Sequence, residues 1–170
     1  MTIMPELDEY AYENRETFAR YGLAMYHAQC VEKSLAILVS SVFNEEFLKS
    51  APENRNEIQN EVFAKTIGRL LNRLKKQITI PPNLDQTLAE SLKKRNWLAH
   101  DYFWERAIQM MTPQGKEKMI EELTNLSGFF SKLDVHLTKI SEKWLMKVGI
   151  SEAALDEHMK QLIQNAKKVI

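Results

Sequence analysis

Apolar residues recur every three or four positions along most of the chain, which is the period of an amphipathic helix rather than of a strand. Over residues 6–48, Tyr21, Met25, Ala28, Leu35, Val39 and Val42 advance by fours and threes, a narrow seam for packing on another helix. This predicts one long helix there, or two in line. Pro52 and three asparagines give residues 49–61 the composition of a loop. A helix resumes over 62–78, its apolar face made of Phe63, Ile67, Leu70, Leu71, Leu74 and Ile78. Pro81-Pro82-Asn83 signals a turn, and Asn83 with Gln86 has the spacing of a capping box. The helix it starts carries Leu84, Leu88, Leu92 (or Ser91), Arg95, Ala99 and Tyr102 on one stripe and is expected to run to about Met111. Thr112-Pro113 restarts the chain with an N-cap and a first-position proline. A long helix follows with Met119, Leu123, Leu126, Phe130, Leu133, Leu137, Ile140 and Trp144 on one face, up to Gly149. Ser151-Glu152 opens a last amphipathic helix over about 151–168. The expected fold is all-α: one up-and-down helical bundle spanning 1–170, with its core at about 6–146 and an additional C-terminal helix.

Two positions do not fit the apolar stripes, and both are charged. Arg95 stands where the next core leucine of its helix belongs. Glu32 falls on the first seam between Ala28 and Leu35, and acids are rarely buried unless paired. Either Glu32, with Gln29 nearby, faces Arg95 and holds it in place, or the helix is rotated slightly and Glu32 reaches water beside Lys33. Gly22, alone inside the first helix, suggests a close crossing or a kink. His27 reads as a half-buried helix residue.

Composition narrows the setting. Lysine plus arginine and aspartate plus glutamate are both 23, so there is no global pull toward nucleic acid and any basic surface must be local. The single cysteine, Cys30, excludes a disulfide framework and a four-thiolate metal site. A reducing, cytoplasmic setting is the simple expectation, since no apolar run approaches membrane-spanning length and the acidic N-terminus does not look like a signal peptide.

The densest chemistry lies in Arg95-Asn96-Trp97-Leu98-Ala99-His100-Asp101-Tyr102. Asn96 and His100 are four apart and share a helix face. Arg95 and His100 are five apart, roughly 140° around a straight helix, so one helix cannot easily bring both to one small ligand. A kink would be needed, or a second copy of the chain.

These residues also resemble the signature of HEPN domains, an arginine followed by a polar residue and, four residues further on, a histidine. The Tyr two beyond His100 resembles the longer form found in toxins of HEPN/minimal-nucleotidyltransferase pairs. A bare Arg-x4-His arises by chance in roughly one chain in five of this length, whereas the form with Asn96 and Tyr102 is far rarer. The resemblance implies a HEPN-like helical bundle, usually a homodimer, that cleaves RNA without a metal or other cofactor and leaves 2′,3′-cyclic phosphate and 5′-OH ends. It would be the toxin or defence half of a two-component system. His100 would be the general acid or base, Arg95 would hold the scissile phosphate, and Asn96 would fix the imidazole or bind the phosphate. Tyr102 would be the point at which a nucleotidyltransferase-like antitoxin attaches AMP.

Between residues 65 and 95 eight bases face two acids, and Lys65, Arg69, Arg73 and Lys76, with Lys93 and Lys94, could form an RNA-binding stripe beside the motif. A plain solvated helix face is the other reading. Trp97, Tyr102, Phe103 and Trp104 could stack bases, but aromatic residues at helical spacing more often pack a core or an interface. No His-Glu-x-x-His, di-iron, phosphate-loop or nucleophile-elbow pattern is present. The alternative to a nuclease is a non-catalytic HEPN-like module that binds a nucleotide or serves as a dimeric scaffold.

Overall fold

The computed structural model describes residues 9–39, 67–77, 79–147 and 151–167. Every regular element among them is helical: α1 (Glu9–Ile37), α2 (Ile67–Gln77), α3 (Pro82–His100), a single turn α4 (Tyr102–Glu105), a 3-10 turn (Gln109–Met111), α5 (Pro113–Lys147) and α6 (Glu152–Lys167). The fold is all-α, as the hydrophobic periodicity implies. The loop expected at 49–61, Phe63, Val42 and Lys65 lie outside the described residues. No helix among them is long and apolar enough to cross a membrane.

The core forms between the two longest helices. Along α1 and the two residues after it Thr17, Ala24, Ala28, Val31, Leu35 and Leu38 are buried, with Ala36 and Val39 beside them and Tyr21 partly buried. On α5 they are Met119, Leu123, Leu126, Phe130, Leu133 and Leu137. Both sets step by fours and threes, the spacing of a coiled-coil seam, and each buried leucine contributes about 1.5–3 kcal/mol. Three polar ties give the relative direction. Glu13 pairs with Lys116, His27 Nδ1 lies 2.9 Å from Ser127 Oγ, and Ser34 Oγ donates to Asp134 Oδ1 at 2.5 Å. The residue numbers rise together on both helices, so α1 and α5 run parallel although 100 positions separate the partners. Gly22 faces open space, which rules out a close crossing there. Lys116 is 0% exposed; its ammonium lies 3.4 Å from Glu13 Oε2, consistent with a buried cation needing a partner.

α3 runs the other way. Its start lies beside the C-terminal half of α5 and its end beside Glu122, and Leu98 O accepts from Tyr21 Oη at 3.1 Å. α2 folds back along it: Gly68 sits near Leu92, and Lys75 Nζ meets Asp85 Oδ1 at 2.6 Å. The start of α3 corrects the expected capping box. The N-cap is Pro81, no side chain caps the helix, and Pro82 takes the first helical turn. A proline there loses nothing, because that N–H would have no partner within the helix. Asn83 already lies inside, its carbonyl accepting from Thr87 Oγ1 at 2.8 Å.

The end of α3 departs from the pattern as well. The helix expected to continue to Met111 stops at His100. Asp101 leaves helical geometry at φ −120°, ψ −17°, and the chain turns through α4 and the 3-10 turn before starting α5. The reversal is needed because α5 runs opposite to α3. Thr112 caps the new helix as expected, its Oγ1 accepting from Gly115 N at 3.1 Å. Gly115 is required here: a Cβ would collide with the backbone of Gln109.

Candidate functional site

The eight motif residues divide between core and solvent. Leu98 and Tyr102 are buried, Trp97 and Ala99 half-buried, and Asn96, His100 and Asp101 exposed. Leu98, not Ala99, continues the inward stripe after Leu88 and Ser91.

Arg95 is half-buried and turned toward α1. Its Nε lies 2.7 Å from Glu32 Oε1. The Nε–H is not aimed along that line, so the contact is held by charge rather than by a linear hydrogen bond. Glu32 therefore faces Arg95 rather than water. Gln29, one turn earlier on α1, is exposed and is not brought to the pair. At the tip of the guanidinium, Nη1 makes a long bond of 3.4 Å to Asn96 Oδ1. The structure shows no hydrogen bond between Asn96 and the His100 ring. His100 stands exposed on the last residue of α3, immediately before the chain bends away.

Tyr102 is 1% exposed, and its hydroxyl lies 3.4 Å from the carbonyl oxygen of Met119. Its ring packs against Tyr21 at 5.9 Å, Trp97 at 5.0 Å and Phe103 at 5.4 Å between ring centres. Burial pushes the phenol above its ordinary value, Glu122 raises it further, and Arg106 opposes both. A hydroxyl so enclosed is out of reach of a modifying enzyme in this conformation, which corrects the expectation that Tyr102 is the site of AMP attachment. Phe103 joins the same cluster, 4.7 Å from Tyr21 and 5.5 Å from Phe18. Trp104 does not: it is 86% exposed.

Sequence reasoning missed Arg106. Its guanidinium binds both carboxylate oxygens of Glu122, at 2.9 and 2.8 Å, and stacks over Trp97 at 5.1 Å. Trp97 Nε1 in turn donates to Glu105 at 2.8 Å. This clamp ties the turn after α3 to α5. The one signal in the sequence was a lone base among apolar residues at 106, with acids at 121 and 122.

The bases of the expected stripe are dispersed. Arg69 and Lys76 are exposed on α2, and Arg73 is half-buried. Lys93 is exposed on α3, one turn from Trp97. Lys94 pairs with Glu90 at 3.2 Å and lies over the Phe129 ring, 5.3 Å from its centre. Among the described residues, no three His, Cys, Asp or Glu side chains are grouped so as to hold a metal ion.

Comparison of the chain with family models, with curated proteins and with solved structures finds no match.

Proposed function

We propose that the protein is a metal-independent endoribonuclease of HEPN type, the toxin or defence component of a two-component system acting on cytoplasmic RNA. One observation carries this reading: an exposed imidazole stands five residues from an arginine whose charged head is oriented by an acid on a neighbouring helix. Glu32 holds the Nε edge of Arg95, and the tip of the guanidinium, next to Asn96, can take a phosphate oxygen in the planar fork that arginine offers.

In the proposed reaction, the ribose 2′-oxygen attacks the adjacent phosphorus, and His100 accepts its proton. The bond from phosphorus to the 5′-oxygen breaks, and that oxygen leaves as a hydroxyl after receiving a proton. The products are a 2′,3′-cyclic phosphate and a 5′-OH. An imidazole titrates near neutrality and so serves as either acid or base. Arg95 offsets the charge that builds on the phosphate. One His100 cannot both accept and donate within a single step, and it stands well around the helix from Arg95. A homodimer that offers a second His100 answers both demands.

The test is cleavage of total cellular RNA by the purified protein in excess chelator, beside His100→Ala, with the new ends mapped. Cyclic-phosphate ends made by the wild type and not by the variant are the expected result. No cleavage by either protein would leave the second reading, a non-catalytic HEPN-like nucleotide-binding or dimeric module. That reading is favoured by the Arg95–Glu32 pair, which also serves to lock α3 to α1.

A further inference from the structure

Where α3 meets α5 the surface is not closed. Two cavities of about 290 and 410 Å³ follow one another along the seam, and a third of about 360 Å³ adjoins them between α5 and the turn after α3. The first two share Phe129, and the second and third share Lys118 and Glu122, so they form one groove. It follows α5 from His136 to Lys118, about 27 Å of helix. That length takes no more than about eight nucleotides at the 3.4 Å spacing of a stacked strand.

We propose that this groove holds single-stranded RNA and delivers it to His100; the proposal rests on the ribonuclease reading and names how its substrate lies. Three observations point the same way. The first is aromatic. Phe129 stands where the first two cavities join, with the Lys94 ammonium over one face of its ring, and Trp97, with Arg106 over one face, lines the middle cavity. Unpaired bases stack on such rings, whereas bases in a duplex are already stacked on one another. The second is charge. Lys118 and Lys132 line the groove against Glu121, while Arg106 is paired with Glu122 and Lys94 with Glu90. Asn125 adds an amide that both donates and accepts, suited to the edge of a base. The third is position. Trp97 lies three residues before His100 and is therefore its neighbour on the surface of α3, so a strand leaving the middle cavity passes the imidazole. The α2 stripe, by contrast, carries bases with no aromatic residue between them.

The experiment measures binding, apart from cleavage, by fluorescence anisotropy of a labelled eight-nucleotide single strand and of its duplex at several salt concentrations. It compares the full-length wild type with Lys118→Glu/Lys132→Glu, with Arg69→Glu/Lys76→Glu and with Phe129→Leu, each first checked for an unchanged melting temperature. All four charge changes are at exposed positions. The proposal expects tighter binding of the single strand than of the duplex. The groove double variant should bind at least about tenfold more weakly and flatten the salt dependence by about 1.4 in log–log slope, two single-strand phosphate contacts. The α2 variant should keep its affinity, and Phe129→Leu should lose about tenfold through stacking alone. The proposal is overturned if the wild type binds neither RNA, if duplex is preferred, if the α2 variant loses as much as the groove variant, or if octaglutamate displaces the strand as well as unlabelled RNA does. The two readings fail separately. RNA held in the groove but never cut would sink the nuclease and keep the groove; RNA cut by a groove variant of full affinity would do the reverse.

Discussion

His100 and Tyr102 are two residues apart, yet they belong to different environments. One is an exposed side chain on the last turn of α3, and the other is enclosed by three aromatic rings. The bend at Asp101 separates them. A short motif is thus not a site in itself. Half of this one builds the junction between α1, α3 and α5, and the other half is presented by it. Arg95 stands between, half-buried, its Nε beside Glu32 and the tip of its guanidinium toward Asn96.

If that division is right, damage to the inner half should be structural. Tyr102→Ala removes a fully buried ring and should cost about 3–5 kcal/mol of unfolding free energy in urea titrations. A loss below 1 kcal/mol would mean that the ring is not part of the core and would reopen Tyr102 to modification. Next in size is the Arg95–Glu32 pair. Glu32→Ala leaves a half-buried guanidinium without its partner and should cost about 1–3 kcal/mol. Under the ribonuclease reading it should also lower cleavage, because Arg95 is no longer oriented. Cleavage unchanged by Glu32→Ala, with stability reduced, would assign the pair to the scaffold alone.

The buried phenol also predicts a pH dependence. Its pKa is raised in the folded protein, so its contribution to stability is complete below the ordinary tyrosine value and is lost as pH climbs above it. Above about pH 10 the unfolding free energy should fall by up to about 1.4 kcal/mol per unit from this group, and Tyr102→Phe should remove that part of the slope. An unaltered slope in the variant would show that the ring becomes wet before the protein unfolds. The smallest effect on stability should come from the outer half. His100→Ala should leave the melting temperature unchanged while abolishing cleavage. A lowered melting temperature would place the imidazole in the structural half after all.

The pattern of apolar positions was enough for the helices but not for their arrangement. α5 was legible because Thr112-Pro113 marks its start and its seam runs unbroken from Met119 to Leu137. The seam on α1 was legible in part: the acid at position 32 stood out as misplaced among apolar residues, and Ala28, Leu35 and Val39 are buried with Tyr21 and Met25 packed beside them, whereas the buried Ala24, Val31 and Leu38 were not on the expected seam. The end of α3 was not legible, since residues 95–111 contain neither proline nor glycine. The break there comes from tertiary demands, the reversal into α5 and the Arg106–Glu122 clamp, which local propensity does not record. The direction of α1 against α5 was equally hidden. A heptad seam is the same read either way, and only the polar ties at Ser34–Asp134 and His27–Ser127 reveal that the pair is parallel. At the site, chemistry-bearing residues could be picked out by type, but which of them point inward depends on a shift of a single residue, about 100° around the helix, as Leu98 in place of Ala99 shows.

The parallel pairing of α1 and α5 has a consequence for how the molecule is made. Contacts that span 100 positions cannot begin to form until most of the chain has been synthesised. At about 5–20 residues per second on the ribosome, α1 waits roughly 5–20 s for the partner that will cover its seam. Through that interval α1 carries a stripe of alanine, valine and leucine that α5 does not yet cover, a natural client for a chaperone at the exit tunnel. α3 is made before α5 and already meets α1 at Glu32 and Tyr21, so closing the α1–α5 seam is a late step of assembly.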